Sequence, residues 1–391
     1  MPIRARMTPG TSGIPDAAIP DLRSLEELAR ERLSEATYAY YSGAAGEGRT
    51  LAANRAAFAG LRLRPRVLVG VRERDLSTSA LGEPLAMPIA VAPMALQRLA
   101  HRDGEVATAR AAARAGIAMT LATMATASIE EVAAASSGPL WFQVYLFRDR
   151  ALTRALVERA EAAGMRALVL TVDAPVSGRP RRSGVGGFTL PAGVGLANLE
   201  ALAGFDGTAS GHVAAGGKGI SAAFAALIDP SATWDGIAWL RSLSRLPLVL
   251  KGVLTAEDAR RAQALGAAAI VVSNHGGRVL DGAIATMDAL PEVTDAVGDT
   301  LEVWVDGGVR SGSDVVKALA LGARLVLVGR PILWGLAVAG EEGVAQVLEA
   351  FRAELDLALA LCGCRTPRGL ERAHLSGLGR ASAGAPERRS G

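Results

Sequence analysis

The residues with the clearest chemical potential lie in the segment Ser-Asn-His-Gly-Gly-Arg at positions 273–278. His275 can take a proton near neutral pH, and Arg278 can hold a carboxylate through two parallel hydrogen bonds. The glycines between them let the backbone turn sharply, so both side chains can face one cavity. The pattern therefore predicts proton transfer on a bound carboxylic acid, although a lone histidine at such a place is more often structural.

Two further charged residues end apolar runs. Lys251 follows Leu-Val-Leu and is one of only three lysines in the chain. A compact ammonium at this point can stabilise a developing anion, unless the side chain extends to solvent. Asp173 ends Leu-Val-Leu-Thr-Val-Asp and can orient or support an imidazolium, whereas alone it would serve as a helix cap.

Two glycine-arginine motifs follow the last two apolar runs. They are Asp-Gly-Gly-Val-Arg at 306–310 and Gly-Arg at 329–330. Glycine exposes backbone N–H groups and arginine supplies positive charge, which is the usual make-up of a phosphate site after the last strands of a barrel. The two motifs together predict a phosphorylated cofactor or substrate.

These residues need a scaffold, and the chain alternates short apolar runs with Ala- and Leu-rich stretches of helical period. Continuous apolar strands with crossover helices indicate a parallel sheet, and eight units favour a closed (β/α)8 TIM barrel of class α/β. Helices at Leu22–Ser42 and Leu51–Phe58 are expected to cap it. The eight runs are Ile89–Ala92, Ala118–Thr123, Trp141–Tyr145, Ala167–Asp173, Leu248–Gly252, Ala269–Asn274, Glu302–Asp306 and Leu325–Gly329.

One interval breaks the alternation. Residues 178–234 are rich in glycine and alanine where one short loop and a helix would suffice, which predicts a lid-like insertion after strand four rather than a second domain. A surface excursion without a role is the alternative. Residues 21–377 are expected to form one barrel domain, with flexible tails at 1–20 and 378–391.

Composition narrows the class of protein. The 391 residues carry a formal charge of only +3, with arginines scattered along the chain, so nothing indicates a nucleic-acid partner. No apolar stretch is long enough for a membrane span, and no signal-peptide core precedes the barrel. Cys362 and Cys364 suit neither a disulfide framework nor a zinc site, so we expect reduced thiols, no metal and a cytoplasmic protein.

Taken together, the motifs resemble the flavin-dependent 2-hydroxy acid oxidases and dehydrogenases, which include glycolate oxidase, lactate oxidase and mandelate dehydrogenase. The resemblance runs from about Leu22 to Arg372. It implies an FMN across the strand ends and the oxidation of an (S)-2-hydroxy acid to the 2-oxo acid. It is carried by Tyr-Tyr-Ser-Gly (40–43), Phe-Gln-Val-Tyr (142–145), Thr-Val-Asp (171–173), Leu-Lys-Gly-Val (250–253), Ser-Asn-His-Gly-Gly-Arg-Val-Leu-Asp (273–281), Asp-Gly-Gly-Val-Arg (306–310) and Gly-Arg-Pro (329–331).

The resemblance also implies roles for individual residues. His275 looks like the base, Asp173 its partner and Arg278 the holder of the substrate carboxylate. Lys251 would lie near the flavin N1–C2 carbonyl, and Tyr40 and Tyr145 would contact the substrate. The flavin ring would be held by Pro93, Met94, Ala95, Thr123, Gln143, Thr171 and Ser273. The ribityl phosphate would be held by Asp306, Gly308, Arg310, Gly329 and Arg330.

The chain departs from the family at the substrate side. Pro180 stands where the family usually has a second arginine, so Arg179 or Arg181 is expected to contact substrate from one residue away. Met94 replaces a common threonine, and Met124 replaces a tryptophan seen in several members. Methionine offers an adaptable apolar wall, which favours a substrate side chain bulkier than that of glycolate.

Other readings remain open at this point. An FMN barrel enzyme for a non-standard substrate would not need His275 and Arg278 together, and an FMN-binding protein without turnover would hold flavin without being reduced. A barrel enzyme for phosphorylated sugars would be colourless. Oxygen is favoured as the electron acceptor over a quinone, since nothing in 178–234 looks like a membrane anchor. A homo-oligomer, tetrameric or octameric, is expected from the family.

Overall fold

A computed structural model describes residues 21–22, 24–176, 190–191, 193–202, 224 and 226–377. Within these ranges, eight parallel strands, β4 to β11, close into a barrel in chain order, and β11 pairs with β4 to complete the circle. The (β/α)8 expectation is confirmed, and each of the eight apolar runs contributes one strand. The strands are β1 Arg62–Leu63, β2 Thr78–Ala80, β3 Glu83–Leu85, β4 Ile89–Met94, β5 Met119–Leu121, β6 Leu140–Val144, β7 Ala167–Thr171, β8 Leu248–Val253, β9 Ala269–Val272, β10 Glu302–Val305, β11 Leu325–Val328 and β12 Leu375–Ser376.

Helices surround the barrel and connect its strands. They bury aliphatic faces against the outer side of the sheet, in one continuous core. The described helices are α1 Leu25–Arg32, α2 Glu35–Ser42, α3 Arg49–Gly60, α4 Gly104–Arg114, α5 Ile129–Ala135, α6 Arg150–Ala162, α7 Ala197–Glu200, α8 Asp235–Leu243, α9 Ala256–Ala264, α10 Thr286–Val297, α11 Gly312–Ala320 and α12 Arg330–Cys362, the last interrupted by non-helical backbone at Ala339 and Gly340.

Apolar packing closes the end of the barrel at which its strands begin, its N-terminal end. Trp141 of β6 and Trp304 of β10 stack across the interior with ring centroids 4.7 Å apart. The β2–β3 hairpin closes the N-terminal end, where Leu81 N donates to Glu302 at the start of β10. Ala80 and Leu85 of this hairpin are buried in the same interior cluster. The N-terminal end of the barrel is therefore a packed core, which leaves the C-terminal end for a site.

The single helix expected over Leu22–Ser42 is wrong. The chain forms two helices there, because Leu33 is extended (φ −86°, ψ 149°) and Ser34 starts a new helix by accepting a hydrogen bond from Thr37 N. The second capping helix is confirmed and runs slightly longer than expected, over Arg49–Gly60.

Much of the expected insertion at 178–234 lies outside the described residues, as do the tails at 1–20 and 378–391. Of its described parts, Leu199, Phe224 and Ile228 are buried in the main core. The lid role stays a prediction. In the part of the chain described here, no helix is long and apolar enough to cross a membrane. Nor do those residues include a group of three or more metal-binding side chains, and both cysteines are free and buried.

Candidate active site

The inner face of the barrel changes from apolar to polar along its strands. Side chains of a strand alternate between faces, so residues two apart point the same way. The apolar layer consists of Trp141, Val169, Val249, Val271 and Trp304. Two residues further along the same strands, or just past their ends, comes the polar layer of Gln143, Thr171, Lys251, Ser273 and Asp306, all at most 6% exposed. Buried polar groups are costly unless they bind each other or a ligand, so this layer marks the floor of a site.

Lys251 is the charged centre of the polar layer. Its Nζ lies 3.3 Å from Asp306 Oδ2 and donates to Ser273 Oγ at 3.0 Å. Burial alone would lower the pKa of Lys251, but the carboxylates of Asp306 and Asp173 raise it above its usual value. The lysine is therefore a fixed cation at any ordinary pH, as a group that stabilises a developing anion must be.

His275 pairs with Asp173 as expected. The His275 Nδ1 lies 2.8 Å from Asp173 Oδ1, and the two residues come from the loops after β9 and β7. Burial by itself would raise the pKa of Asp173, but the neighbouring His275 and Lys251 hold it below its usual value. Gly252 makes room for this carboxylate, since a Cβ there would lie 2.5 Å from Asp173 Cβ. The carboxylate thus fixes the imidazole, with Nε2 facing away from it.

Arg278 is anchored on one side only. Its Nη1 donates to the carbonyls of Tyr40 and Gly43 at the end of α2, at 2.9 and 3.1 Å, and its guanidinium lies 5.3 Å from the centre of the Tyr40 ring. Every hydrogen bond that Arg278 makes to a described residue comes from Nη1. Nε and Nη2 form the other edge of the fork, which matches a carboxylate.

Two tyrosines and a methionine complete the substrate side. Burial raises the pKa of Tyr40, partly offset by Arg278, and burial with the nearby Asp173 raises the pKa of Tyr145 well above its usual value. Both phenols are therefore protonated donors. Met124 is partly buried in the loop after β5 and packs on the core. Arg179, Pro180 and Arg181 lie outside the described residues, and their roles stay predictions.

Three expected ring contacts form one hydrogen-bonded row. Gln143 Nε2 donates to Thr171 Oγ1 at 3.0 Å, while Thr123 N donates to Gln143 Oε1 at 3.1 Å. Pro93 and Met94 end β4, whose register with β5 shifts at this point, and Ala95 follows them. The sequence-predicted ring contacts therefore converge on the barrel mouth from neighbouring strands.

Arg310 supplies the observation that tests the fit of a phosphate. Its guanidinium is buried, yet Nε and Nη2 have no hydrogen-bond partner within the described chain. Burial and the nearby Arg55 lower the pKa of Arg310 to about 10. Unpaired buried donors beside further arginines require an anion, and the phosphate of FMN is such an anion. The residues at this end fit the cofactor that the sequence implies.

Arg330 differs from the expectation in detail. Nε, Nη1 and Nη2 each donate to a backbone carbonyl, those of Tyr41, Gly276 and Gly43 respectively. Burial and the surrounding arginines hold its pKa well below the usual value. Two of its five N–H groups remain for a phosphate. Arg330 therefore ties α2 to the His275 loop as well as adding charge.

Glycines and an aspartate shape the rest of this end. Gly308 has φ +93°, and a Cβ there would lie 2.7 Å from Asn54 O, so only glycine fits. Gly329 precedes the first turn of α12, and a Cβ there would lie 3.8 Å from Ala92 Cβ and from Met94 Sδ of β4. Asp306 Oδ1 is buried without a partner among the described residues. The predicted role of Asp306 at the phosphate stays a prediction.

Sequence reasoning missed a buried carboxylate beside the site. Glu105, on α4, is fully buried and accepts hydrogen bonds from Gln97 N, from Thr126 N and Oγ1, and from Ala127 N. These donors belong to the loops after β4 and β5, which carry Met94 and Met124. Four donors converging on one carboxylate order both loops. A glutamate within an alanine-rich helix gave no local signal of this role.

Comparison with known proteins agrees with this geometry. A family model described as FMN-dependent dehydrogenase matches residues 29–377. An L-lactate oxidase from Nostoc sp. is 53% identical over 88% of this chain and 94% of its own, and a glycolate oxidase from Spinacia oleracea is 45% identical over 92% and 96%. A solved structure of mandelate oxidase with (S)-4-hydroxymandelic acid is 43% identical, with a TM-score of 0.84 over 91% of this chain and 98% of that one.

Proposed function

The chain belongs to the FMN-dependent dehydrogenase family, and from that premise we propose that it oxidises (S)-2-hydroxy acids with side chains larger than that of glycolate, using oxygen as the electron acceptor. The broader activity is that of its relatives: it is an FMN-dependent oxidoreductase that acts on the CH–OH group of 2-hydroxy acids. The observation that carries the proposal is the His275–Asp173 pair at 2.8 Å, with Arg278 in the same loop as His275.

The side chains divide the work of the reaction. The free edge of Arg278 binds the substrate carboxylate, and the phenols of Tyr40 and Tyr145 donate to its oxygens. His275 removes a proton, either from the hydroxyl or from the α-carbon, and both routes are chemically open. Asp173 stabilises the imidazolium that results. FMN, when bound, supplies the two-electron acceptor.

Three groups hold the cofactor in this account. Lys251 would supply a permanent positive charge to the flavin ring, on which reduction places negative charge. The row of Thr123, Gln143 and Thr171 would offer donors and acceptors to the ring edge. Nε and Nη2 of Arg310, which have no partner among the described residues, would bind the phosphate.

The preference for larger side chains is supported by the apolar wall. Met124 lies in the loop after β5, and Tyr145 contacts Phe224 with ring centroids 5.3 Å apart. A flexible thioether and an aromatic surface each accept an aliphatic or aromatic side chain with little cost. The names of the relatives, L-lactate oxidase and mandelate oxidase with an (S)-hydroxy acid, support both the handedness and the size.

A substrate panel tests the proposal. The purified yellow protein is mixed without oxygen with glycolate, L-lactate and (S)-mandelate, and D-lactate serves as the matched control. We expect flavin bleaching with the L or (S) acids, a higher kcat/KM for L-lactate or (S)-mandelate than for glycolate, and no bleaching with D-lactate. A protein bleached by none of them holds flavin without turnover, and a colourless protein points to another barrel chemistry.

The acceptor is tested by re-oxidation. We expect oxygen to restore the yellow colour at least as fast as an artificial acceptor such as dichlorophenolindophenol. Rapid turnover with the dye and none with oxygen would make the protein a dehydrogenase. We also propose a cytoplasmic homo-oligomer, tetrameric or octameric. The two free cysteines support a reducing compartment, and light scattering with cell fractionation checks both points.

A further inference from the structure

The backbone of His275 adopts a conformation that residues other than glycine avoid. Its φ is +58°, and Gly276 and Gly277 after it are also left-handed. A non-glycine residue in this region is strained, and it persists only where its surroundings enforce it. Something other than local preference must therefore hold the loop that presents the imidazole to Asp173.

Asn274 connects this loop to the rest of the molecule. Its side-chain oxygen accepts from Gly277 N at 3.2 Å, and its Nδ2 donates to Ile284 O at 3.0 Å. The same amide exchanges two hydrogen bonds with Asn54, at 2.8 and 2.7 Å. Both asparagines are at most 5% exposed. Buried, mutually satisfied amides of this kind rigidify what they join.

Asn54 lies on α3, and each side-chain hydrogen bond that it makes to a described residue goes to the segment that follows β9. Besides the pair with Asn274, its Oδ1 accepts from Thr286 N at 3.2 Å, where α10 begins. Asn54 thus joins both ends of the His275 loop. The helix also packs directly on the loop, since a Cβ at Gly277 would lie 2.7 Å from Leu51 N.

We propose that Asn54 is a positioning residue for the reaction: through its paired amides with Asn274 it holds His275 in the left-handed conformation that aligns the imidazole with Asp173. The inference rests on the proposed role of His275 as the base. Among the described residues, Asn54 makes no hydrogen bond to His275 or to Asp173. It acts across 220 residues of sequence through Asn274.

The first test is a pair of substitutions and their combination. Asn54→Ala and Asn274→Ala are each expected to slow flavin reduction at saturating substrate by 10- to 100-fold, with KM and FMN content little changed. The double variant is expected to lose no more than the worse single variant, because both remove one shared contact. Additive losses would overturn the proposal.

The second test reads the histidine directly. The Nδ1 proton in the His275–Asp173 hydrogen bond is expected to give a downfield proton resonance, identified by its absence in His275→Ala. We expect this signal to shift or broaden in Asn54→Ala. A loosened pair should also displace the acid limb of the kcat/KM profile, because Asp173 then stabilises the imidazolium of His275 less.

Two controls separate positioning from general stability. Thr294→Val removes a side-chain hydroxyl that links α10 to Leu321 O, and it should lower only the melting temperature. Asn54→Ser shortens the side chain so that it no longer reaches the Asn274 amide, and it keeps a polar atom at this buried position, so it serves as the second variant if Asn54→Ala fails to fold. A lower melting temperature with an unchanged reduction rate, pH profile and resonance would refute the proposal. If no 2-hydroxy acid reduces the wild type, the proposed function fails, whereas the resonance still tests the inference.

Discussion

The apolar and polar layers of the barrel are built by the same strands, two residues apart, yet they answer different physical demands. In the apolar layer Trp141 and Trp304 fill the interior by stacking, and the Trp141 Nε1 is the one polar atom of that layer without a partner among the described residues. The polar layer is incomplete: Asp306 Oδ1 has no partner among the described residues. The apolar layer is held by packing within the protein, whereas the polar layer offers groups that a ligand has to satisfy. Substitutions in the first should therefore change stability, and those in or beside the second should change chemistry.

The largest difference between the effect on catalysis and the effect on stability is expected from His275→Ala, in the loop above the polar layer. Removing a general base should slow flavin reduction by about 10⁴-fold, equivalent to ~5 kcal/mol. FMN content and the melting temperature should stay near those of the wild type, since the side chain is partly exposed and lies outside the core. Anaerobic stopped-flow reduction measures the rate. His101→Ala, in the turn before α4, is the matched histidine control and should leave the rate unchanged. Unchanged kinetics would remove His275 from the mechanism.

The converse is expected in the apolar layer. Trp141→Ala should lower the free energy of unfolding by about 4 kcal/mol, because it leaves a large cavity in the barrel. The indole Nε1 has no hydrogen-bond partner in the described structure, so Trp141→Phe should cost much less. Urea unfolding measures both variants. If folded Trp141→Ala loses flavin reduction as severely as His275→Ala does, the two layers are not separable.

The layers themselves were predictable, because apolar runs of strand length and the residues that end them are local patterns. The positions of Lys251, Asp173 and His275 follow from where those runs end. The break between α1 and α2 was missed because Leu33 and Ser34 lie within a continuous helical pattern. The pairing of Asn54 with Asn274 was also missed, since no local pattern relates residues that are far apart in sequence. Contacts between distant segments are set by tertiary packing and are invisible to periodicity.

A more specific test of the difference between the layers replaces one charged residue of the polar layer with an apolar residue. Lys251→Met keeps the volume but removes the cation, and it leaves Asp306 as a buried carboxylate without its partner. We expect flavin reduction to fall by about 10²-fold, or ~3 kcal/mol, together with a lower flavin potential. Spectroelectrochemical titration and stopped-flow reduction measure the two effects. Lys317→Met on α11, where the lysine pairs with Asp314, should alter neither; an unaltered potential in Lys251→Met would contradict the assigned role.

The smallest effect is expected from Arg310, at the end of the site to which we assign the phosphate. Arg310→Ala removes Nε and Nη2, the two buried donors without partners in the described chain, so it should weaken FMN binding without disturbing an existing contact of those atoms. Losing hydrogen bonds to a charged group costs about 2 kcal/mol, which corresponds to a ~30-fold higher Kd for FMN. Equilibrium titration of the apoprotein measures this, and riboflavin, which lacks the phosphate, should bind both forms equally. Arg352→Ala, which removes a half-buried arginine bonded to Ala115 O on the outer helices, controls for lost charge. Equal weakening of FMN and riboflavin would place the phosphate elsewhere and leave Nε and Nη2 of Arg310 without the anion assigned to them.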